Sequence, residues 1–177
     1  MALLPIRLYP DPVLREPAAP VGEVDEAVRK LIADMGETMR AAPGVGLAAP
    51  QVGVQRRVLV YSVGVEEPIH ALVNPEIVER RGEEIADEGC LSIPELSYPV
   101  SRAQHIVVRA LDPEGNAVTR EAEDFEARII QHEVDHLDGV LFLDRLAPDD
   151  RRDALRTLRD RALDGDLGLR RPRAPSM

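Results

Sequence analysis

Apolar residues recur at helical spacing between residues 25 and 41, where Val28, Leu31, Ile32, Met35 and Met39 share one side. Pro43-Gly44 ends that helix. The pattern then turns to strand. Arg57 to Val63 holds the run Val58-Leu59-Val60-Tyr61, and Ala71-Leu72-Val73 and Glu76-Ile77-Val78-Glu79 are two further strands, broken by Asn74-Pro75. Ile106 to Leu111 reads as a strand, Asp112-Pro113-Glu114-Gly115-Asn116 as a turn, and Ala117 to Glu123 as its hairpin partner. Asp124 stands where an N-cap would precede an acidic first turn, and Gly139 where a left-handed residue would close the same helix. A last amphipathic helix covers 149–163, with Leu155, Leu158 and Ala162 inward. Ahead of everything lies an arm with Pro5, Pro10, Pro12, Pro17 and Pro20, extended except for one turn at Asp11-Pro12. Strands followed by a helix predict an α+β fold. We expect one domain over 1–164 and a disordered Gly-, Pro- and Arg-rich tail over 165–177.

Composition narrows this. At 177 residues, 44 % hydrophobic and 31 % charged, the chain is long and apolar enough to bury a core. Aromatics are 3 % and Trp is absent, so that core is aliphatic. A net charge of −10 argues against general nucleic-acid binding, DNA included. Cys90 is the only cysteine, which excludes an internal disulfide and fits a reducing, cytoplasmic setting. The first residues lack the pattern of a signal peptide, and no apolar run approaches the roughly 20 residues of a membrane span.

The chemistry centres on Gln131-His132-Glu133-Val134-Asp135-His136, an H-E-x-x-H pattern. On a helix, residues four apart lie about 40° apart around the axis and roughly 6 Å along it. His132 and His136 can therefore grip one metal ion, with Glu133 beside them to take a proton from a metal-bound water. A catalytic site needs a third ligand. Downstream there is no further His or Glu after His136, only aspartates such as Asp144, Asp149 and Asp150. Phe142 fills the place where the extended zinc-peptidase pattern has its third His. Upstream stand His70, His105 and Cys90. The two histidines read as structural. Cys90, in Glu88-Gly89-Cys90-Leu91-Ser92, is equally a small buried residue or a thiolate ligand.

Gly44-Val45-Gly46-Leu47-Ala48-Ala49-Pro50-Gln51 is the third unusual stretch. It lacks the Lys-Ser/Thr ending of a phosphate loop. A helix-to-strand connector explains Pro43-Gly44, but leaves Gln51 free to aim its amide at an oxyanion.

Together these stretches resemble peptide deformylase, whose motifs G-x-G-L-A-A-x-Q, E-G-C-L-S and Q-H-E-x-D-H stand complete and in order at Gly44–Gln51, Glu88–Ser92 and Gln131–His136. Tyr9-Pro10-Asp11-Pro12-Val13-Leu14 is similar to the family as well, and the likeness covers roughly residues 5 to 147. The resemblance implies antiparallel β-sheets around a central metal helix, with Cys90, His132 and His136 as ligands. It implies Fe²⁺ as the resident ion, with Zn²⁺, Ni²⁺ or Co²⁺ also accepted. The implied reaction removes formyl from N-formylmethionyl nascent peptides. Glu133 moves the proton, and the Gln51 amide and Leu91 N–H stabilise the oxyanion. Val45, Phe125 and Ile129 are candidates for the methionine slot, and the backbone of Val45, Gly46 and Gly89 for pairing with an extended peptide. The segment Glu95–Pro99 is expected as a loop at the rim, and Glu88 and Arg102 as an ion pair or two solvated charges.

From Arg145 to Met177 there are 9 Arg and 6 Asp. Such a piece could touch the ribosome through the C-terminal helix. A solvated helix with ion pairs four residues apart accounts for it better. Three other readings compete for the whole chain: an H-E-x-x-H metallopeptidase with an Asp third ligand, a catalytically inactive binding protein of the same fold, and a structural zinc protein. Glu133 and Gln51 speak against the second, and the want of a fourth ligand against the third.

Overall fold

The chain's structure is a computed structural model that describes residues 2–165. The elements in chain order are α1 (Glu26–Ala41), β1 (Gly46–Ala48), β2 (Val58–Tyr61), β3 (His70–Arg81), β4 (Glu84–Cys90), β5 (Ile93–Arg102), β6 (His105–Leu111), β7 (Ala117–Glu123), α2 (Asp124–Leu137) and α3 (Pro148–Leu163). Helix α1 begins where the Asp25 carboxylate accepts the Val28 N–H at 2.9 Å, and it buries Val28, Met35 and Met39. Leu31 and Ile32 lie half-buried at its margin.

Five antiparallel strands form one sheet in the order β1-β2-β3-β6-β7, and β4 pairs with β5 alone. Strand β2 reads as an unbroken apolar run because both of its faces are covered. Val58 and Val60 pack towards α1, while Leu59 and Tyr61 pack towards α2. Burying one such aliphatic side chain is worth about 2 kcal/mol, so this double burial fixes the sheet between the two helices. A third cluster, with Leu14, Ile93, Val100, Leu141, Phe142, Leu143, Ala154 and Leu158, joins the β4–β5 hairpin to α3.

Four expectations need correction. Asn74-Pro75 does not break a strand. Asn74 takes a positive φ of 50° at a bulge, and β3 runs on through it. The Asn74 side chain accepts from Val21 N–H and donates to Val21 C=O, both at 2.8 Å, which ties down the N-terminal arm. Second, Glu95–Pro99 is no loop but part of β5, and Tyr98 Oη donates to Asp153 of α3 at 2.7 Å. Strand β4 escaped the hydrophobic pattern because its inward side chains include Glu84, Ala86 and Glu88 facing a polar helix. Third, Glu123 rather than Asp124 is the N-cap of α2. Strand β7 feeds straight into the helix, and Asp124 makes the turn at φ 49° while its carboxylate accepts from Gln104. Fourth, Ala162 is exposed, and Ala154 with Leu158 forms the buried seam of α3.

The arm has its expected turn, Pro12–Arg15, opened by Asp11 accepting from Val13 N–H at 3.0 Å. It runs across the molecule. Arg7 N–H donates to Gln51 C=O at 2.7 Å, Tyr9 N–H to Ser92 C=O at 2.8 Å and Ala18 N–H to Leu137 C=O at 2.8 Å. Gly139 follows α2 at φ 73°, with Arg15 C=O pressed where a side chain would start. Residues 166–177, nearly all of the expected tail, lie outside the described residues.

Candidate metal centre and active site

Every residue of α2 from Ala127 to Leu137 is buried, although Arg128, Gln131, His132, Glu133, Asp135 and His136 are polar. Buried polar groups need partners, and one face of α2 finds them on the β4–β5 hairpin. His132 and His136 stand one turn apart on that face. Cys90 ends β4, and its partner across the two-residue turn Leu91-Ser92 is Ile93. The Cys90 Sγ lies 3.3 Å from His136 Nε2, which lies 3.2 Å from His132 Nε2. The three donor atoms fall within 4.8 Å of one another, the one such cluster of metal-ligating side chains among the described residues.

The donor set fits a divalent metal ion. His132 Nδ1 lies 2.9 Å from the Glu88 carboxylate. If that nitrogen carries the ring proton, Nε2 presents a lone pair towards the other two donors. A thiolate and two imidazoles are the donor types of a three-ligand metal site, and a carboxylate behind one His is the usual support. Burial disfavours charge on both rings. Cys90 and Glu88 nonetheless hold His132 well above its ordinary pKa, while His136, also repelled by His132, falls well below.

Glu133 is buried and its Oε2 has no hydrogen-bond partner. Burial, opposed by His132, pushes its pKa up to about 7. Gly46 makes the room for it: a Cβ there would sit 2.8 Å from Glu133 Cδ. The other glycine of that stretch does the same for Leu91, whose Cδ1 would lie 2.6 Å from a Cβ on Gly44. The Gln51 amide is fixed at both ends. Its Oε1 accepts from Ala48 N–H at 2.8 Å, and its Nε2 donates to Ser92 Oγ at 3.2 Å and faces Cys90 Sγ at 3.6 Å.

Glu88 and Arg102 form a buried pair, with Nε to Oε1 at 2.8 Å and an Nη to Oε2 at 2.9 Å. Burial raises the Glu88 pKa, but Arg102 and His132 more than offset this and hold it at about 2. Arg102 also donates to Asp135 at 2.6 Å, and Arg145 closes on Asp135 from the surface at 2.7 Å. Glu88, Arg102 and Asp135 therefore each have an opposite charge beside them, as burial demands.

A family model described as polypeptide deformylase matches residues 3–152. The chain belongs to the polypeptide deformylase family. The peptide deformylase of Acidothermus cellulolyticus is 52 % identical over 160 residues, covering 90 % of this chain and 88 % of that one. The peptide deformylase of Alkalilimnicola ehrlichii is 53 % identical over 150 residues, covering 83 % and 84 %. Among solved structures, a peptide deformylase from Legionella pneumophila superposes with a TM-score of 0.86 at 42 % identity, covering 97 % of this chain and all of that one. One from Ehrlichia chaffeensis in complex with actinonin gives 0.85 at 38 % identity, covering 91 % and 98 %. The fold is that of the deformylases, α+β with antiparallel sheets, and the enzyme is a metal-dependent deformylase acting on nascent formylated peptides.

Within this deformylase the motif residues come together as follows. Cys90, His132 and His136 form the cluster, Glu133 and Gly46 touch, and Gln51, Ser92 and Cys90 touch. Gly89 lies in β4 beside Cys90, with Leu96 C=O 3.3 Å from where its side chain would begin. Ile129 is buried in the core beside Ala48 and Val134, whereas Val45 is 41 % and Phe125 50 % exposed. His70 packs on the Tyr61 ring and His105 faces Glu121, both outside the metal cluster. Sequence reasoning assigned no role to Ser92, Arg128 or Asp135. The last two had a signal: with His132 they share one face of α2 at i, i+4 and i+7, and charge on a buried face needs a partner.

Proposed function

We propose that Cys90, His132 and His136 hold one divalent ion, Fe²⁺ by family and Zn²⁺, Ni²⁺ or Co²⁺ by donor type, for removal of formyl from N-formylmethionyl peptides. The convergence of three donor atoms beside a buried carboxylate with a free oxygen is the observation that carries this. When bound, such an ion supplies Lewis acidity, which polarises the formyl oxygen and makes water a nucleophile near neutral pH. Glu133 takes the proton of the attacking water and gives it to the leaving nitrogen, so that formate and a free amine result. Gln51 Nε2 and Leu91 N–H donate to the developing oxyanion, each worth about 3 kcal/mol in the barrier. The turn at Leu91-Ser92 and the Gln51 amide, held by its Oε1 on Ala48 N–H with its Nε2 beside Cys90 Sγ, support that role.

Substrate enters as an extended strand that pairs with the backbone of Val45, Gly46 and Gly89. Val45 and Phe125 offer apolar surface for the methionine side chain, and Ile129 backs it from the core. A third ligand of Asp type has no support here. Asp135 is held by Arg102 and Arg145, Asp138 by Arg57, and Asp144 by Arg15.

Among the described residues no helix is long and apolar enough to cross a membrane. We place the enzyme in the cytoplasm because its substrate is made there. In α3, Arg152 pairs with Asp149 and Arg156 with Asp153, three residues apart rather than the expected four, which still supports a solvated helix over a ribosome contact. Truncating 165–177 and measuring ribosome binding over a salt series tests that choice, since a contact with RNA phosphates would weaken steeply with salt.

The deciding experiment is formate release from formyl-Met-Ala-Ser by anaerobically prepared, Fe²⁺-loaded protein. Glu133→Ala is expected to keep its metal and lose at least about 100-fold in turnover. No release by folded, metal-loaded wild type would defeat the proposal.

A further inference from the structure

The H-E-x-x-H motif leaves unexplained the arginine one turn before it. Arg128 is buried, and its guanidinium points at the β4–β5 hairpin rather than at solvent. One Nη donates to Glu88 Oε1 at 3.0 Å and to Val100 C=O at 2.9 Å, with Ala86 C=O at 3.4 Å. The other donates to Glu84 C=O at 2.8 Å. Ala86 and Val100 are cross-strand partners, so one side chain seizes both strands of the hairpin at the same level. Glu88, four residues beyond Glu84 and two before Cys90, is the carboxylate that holds His132 Nδ1.

We infer that Arg128 is a positioning residue for the metal centre, setting the Cys90 strand against the His132–His136 face of α2 and completing the shell around Glu88. It rests on the three-ligand reading above. Helix and hairpin are separate elements, yet they must deliver donor atoms to one point. Val100 and Leu96 pack the hairpin into the cluster around Leu141 and Phe142, whose ring stacks on His132, and Arg102 of β5 reaches Asp135 of α2 at 2.6 Å; neither of these contacts grips β4, the strand that carries Cys90. Arg128 does so directly, with its charge facing the carboxylate and its remaining N–H groups spread over the three carbonyls. That task needs a planar fork of donors; a lysine ammonium is a single point and cannot reach the carboxylate and both strands together.

The test compares wild type with Arg128→Lys and Arg128→Gln, each metal-free and then titrated with Co²⁺. Three readouts are taken: the thermal transition of the metal-free protein, Co²⁺ affinity by chelator competition, and the visible spectrum of the thiolate-bound ion. Both variants are expected to fold and to bind Co²⁺ about 10–100-fold more weakly, as loss of such supporting groups does, with an altered sulfur-to-cobalt band. Lysine is expected to rescue neither quantity. Unchanged affinity and spectrum would overturn the inference. So would variants that stay unfolded in excess Co²⁺, since Arg128 would then be a brace for the whole fold. Wild type that takes up no Co²⁺ at Cys90 would instead remove the three-ligand reading itself.

Discussion

Gly46 lacks a side chain because the Glu133 carboxylate occupies the space one would take. Its role is thus steric, in addition to the backbone pairing proposed for it. Gly46→Ala is expected to bind metal like wild type and to lose about 100-fold or more in kcat, because Glu133 must turn away from the reacting atoms. Formate release beside metal content checks this, and normal turnover would show that Glu133 has room to spare. Gly44→Ala acts on a different part, crowding the Leu91 side chain. The motif positions stand out in the sequence because each is a residue type that the proposed chemistry requires. The contacts that hold them could not. Ser92 orients Gln51 from 41 residues away, and such a pairing leaves no periodic trace.

At the scale of elements, the strands with apolar alternation or an apolar run were legible, and so were α1, the turn at Asp112–Asn116 and the end of α2 at Gly139. Strands β4 and β5 were not: on β4 the inward Glu84 and Glu88 meet Arg128, and β5 carries Pro94, Pro99 and Glu95 at φ 60°. Asn74 misled for a related reason. A polar residue before proline normally ends a strand, but here its side chain replaces the missing ladder by bonding the arm at Val21. Asn74→Ala loses both bonds and places Ala at a positive φ. It is expected to cost about 2–3 kcal/mol in denaturant unfolding while leaving the kcat of metal-loaded protein within about twofold. A variant as stable as wild type would mean that the arm is held elsewhere.

The whole molecule is closed by contacts between its first and last parts, and one of these is sensitive to pH. Burial raises the Asp144 pKa, but Arg15 and the Leu141 N–H, which donates at 2.9 Å, lower it more, so the folded value lies below the ordinary aspartate value. A depressed carboxylate adds stability above its unfolded pKa of 3.8 and loses it as pH falls through the folded value. Asp144→Asn is therefore expected to lower Tm at pH 7 and to narrow its gap to wild type as the pH falls below about 4. A gap constant across that range would remove Asp144 from the acid response. The same closure bears on how the chain is made. Arg7, Tyr9, Ala18 and Arg15 bond to Gln51, Ser92, Leu137 and Asp144. Synthesis delivers the arm first and its last partners more than a hundred residues later. Ala2 and Leu4 can dock on Asp34 and Thr38 as soon as α1 is made, whereas Arg15 and Ala18 keep their bonds open until the chain reaches Leu137 and Asp144.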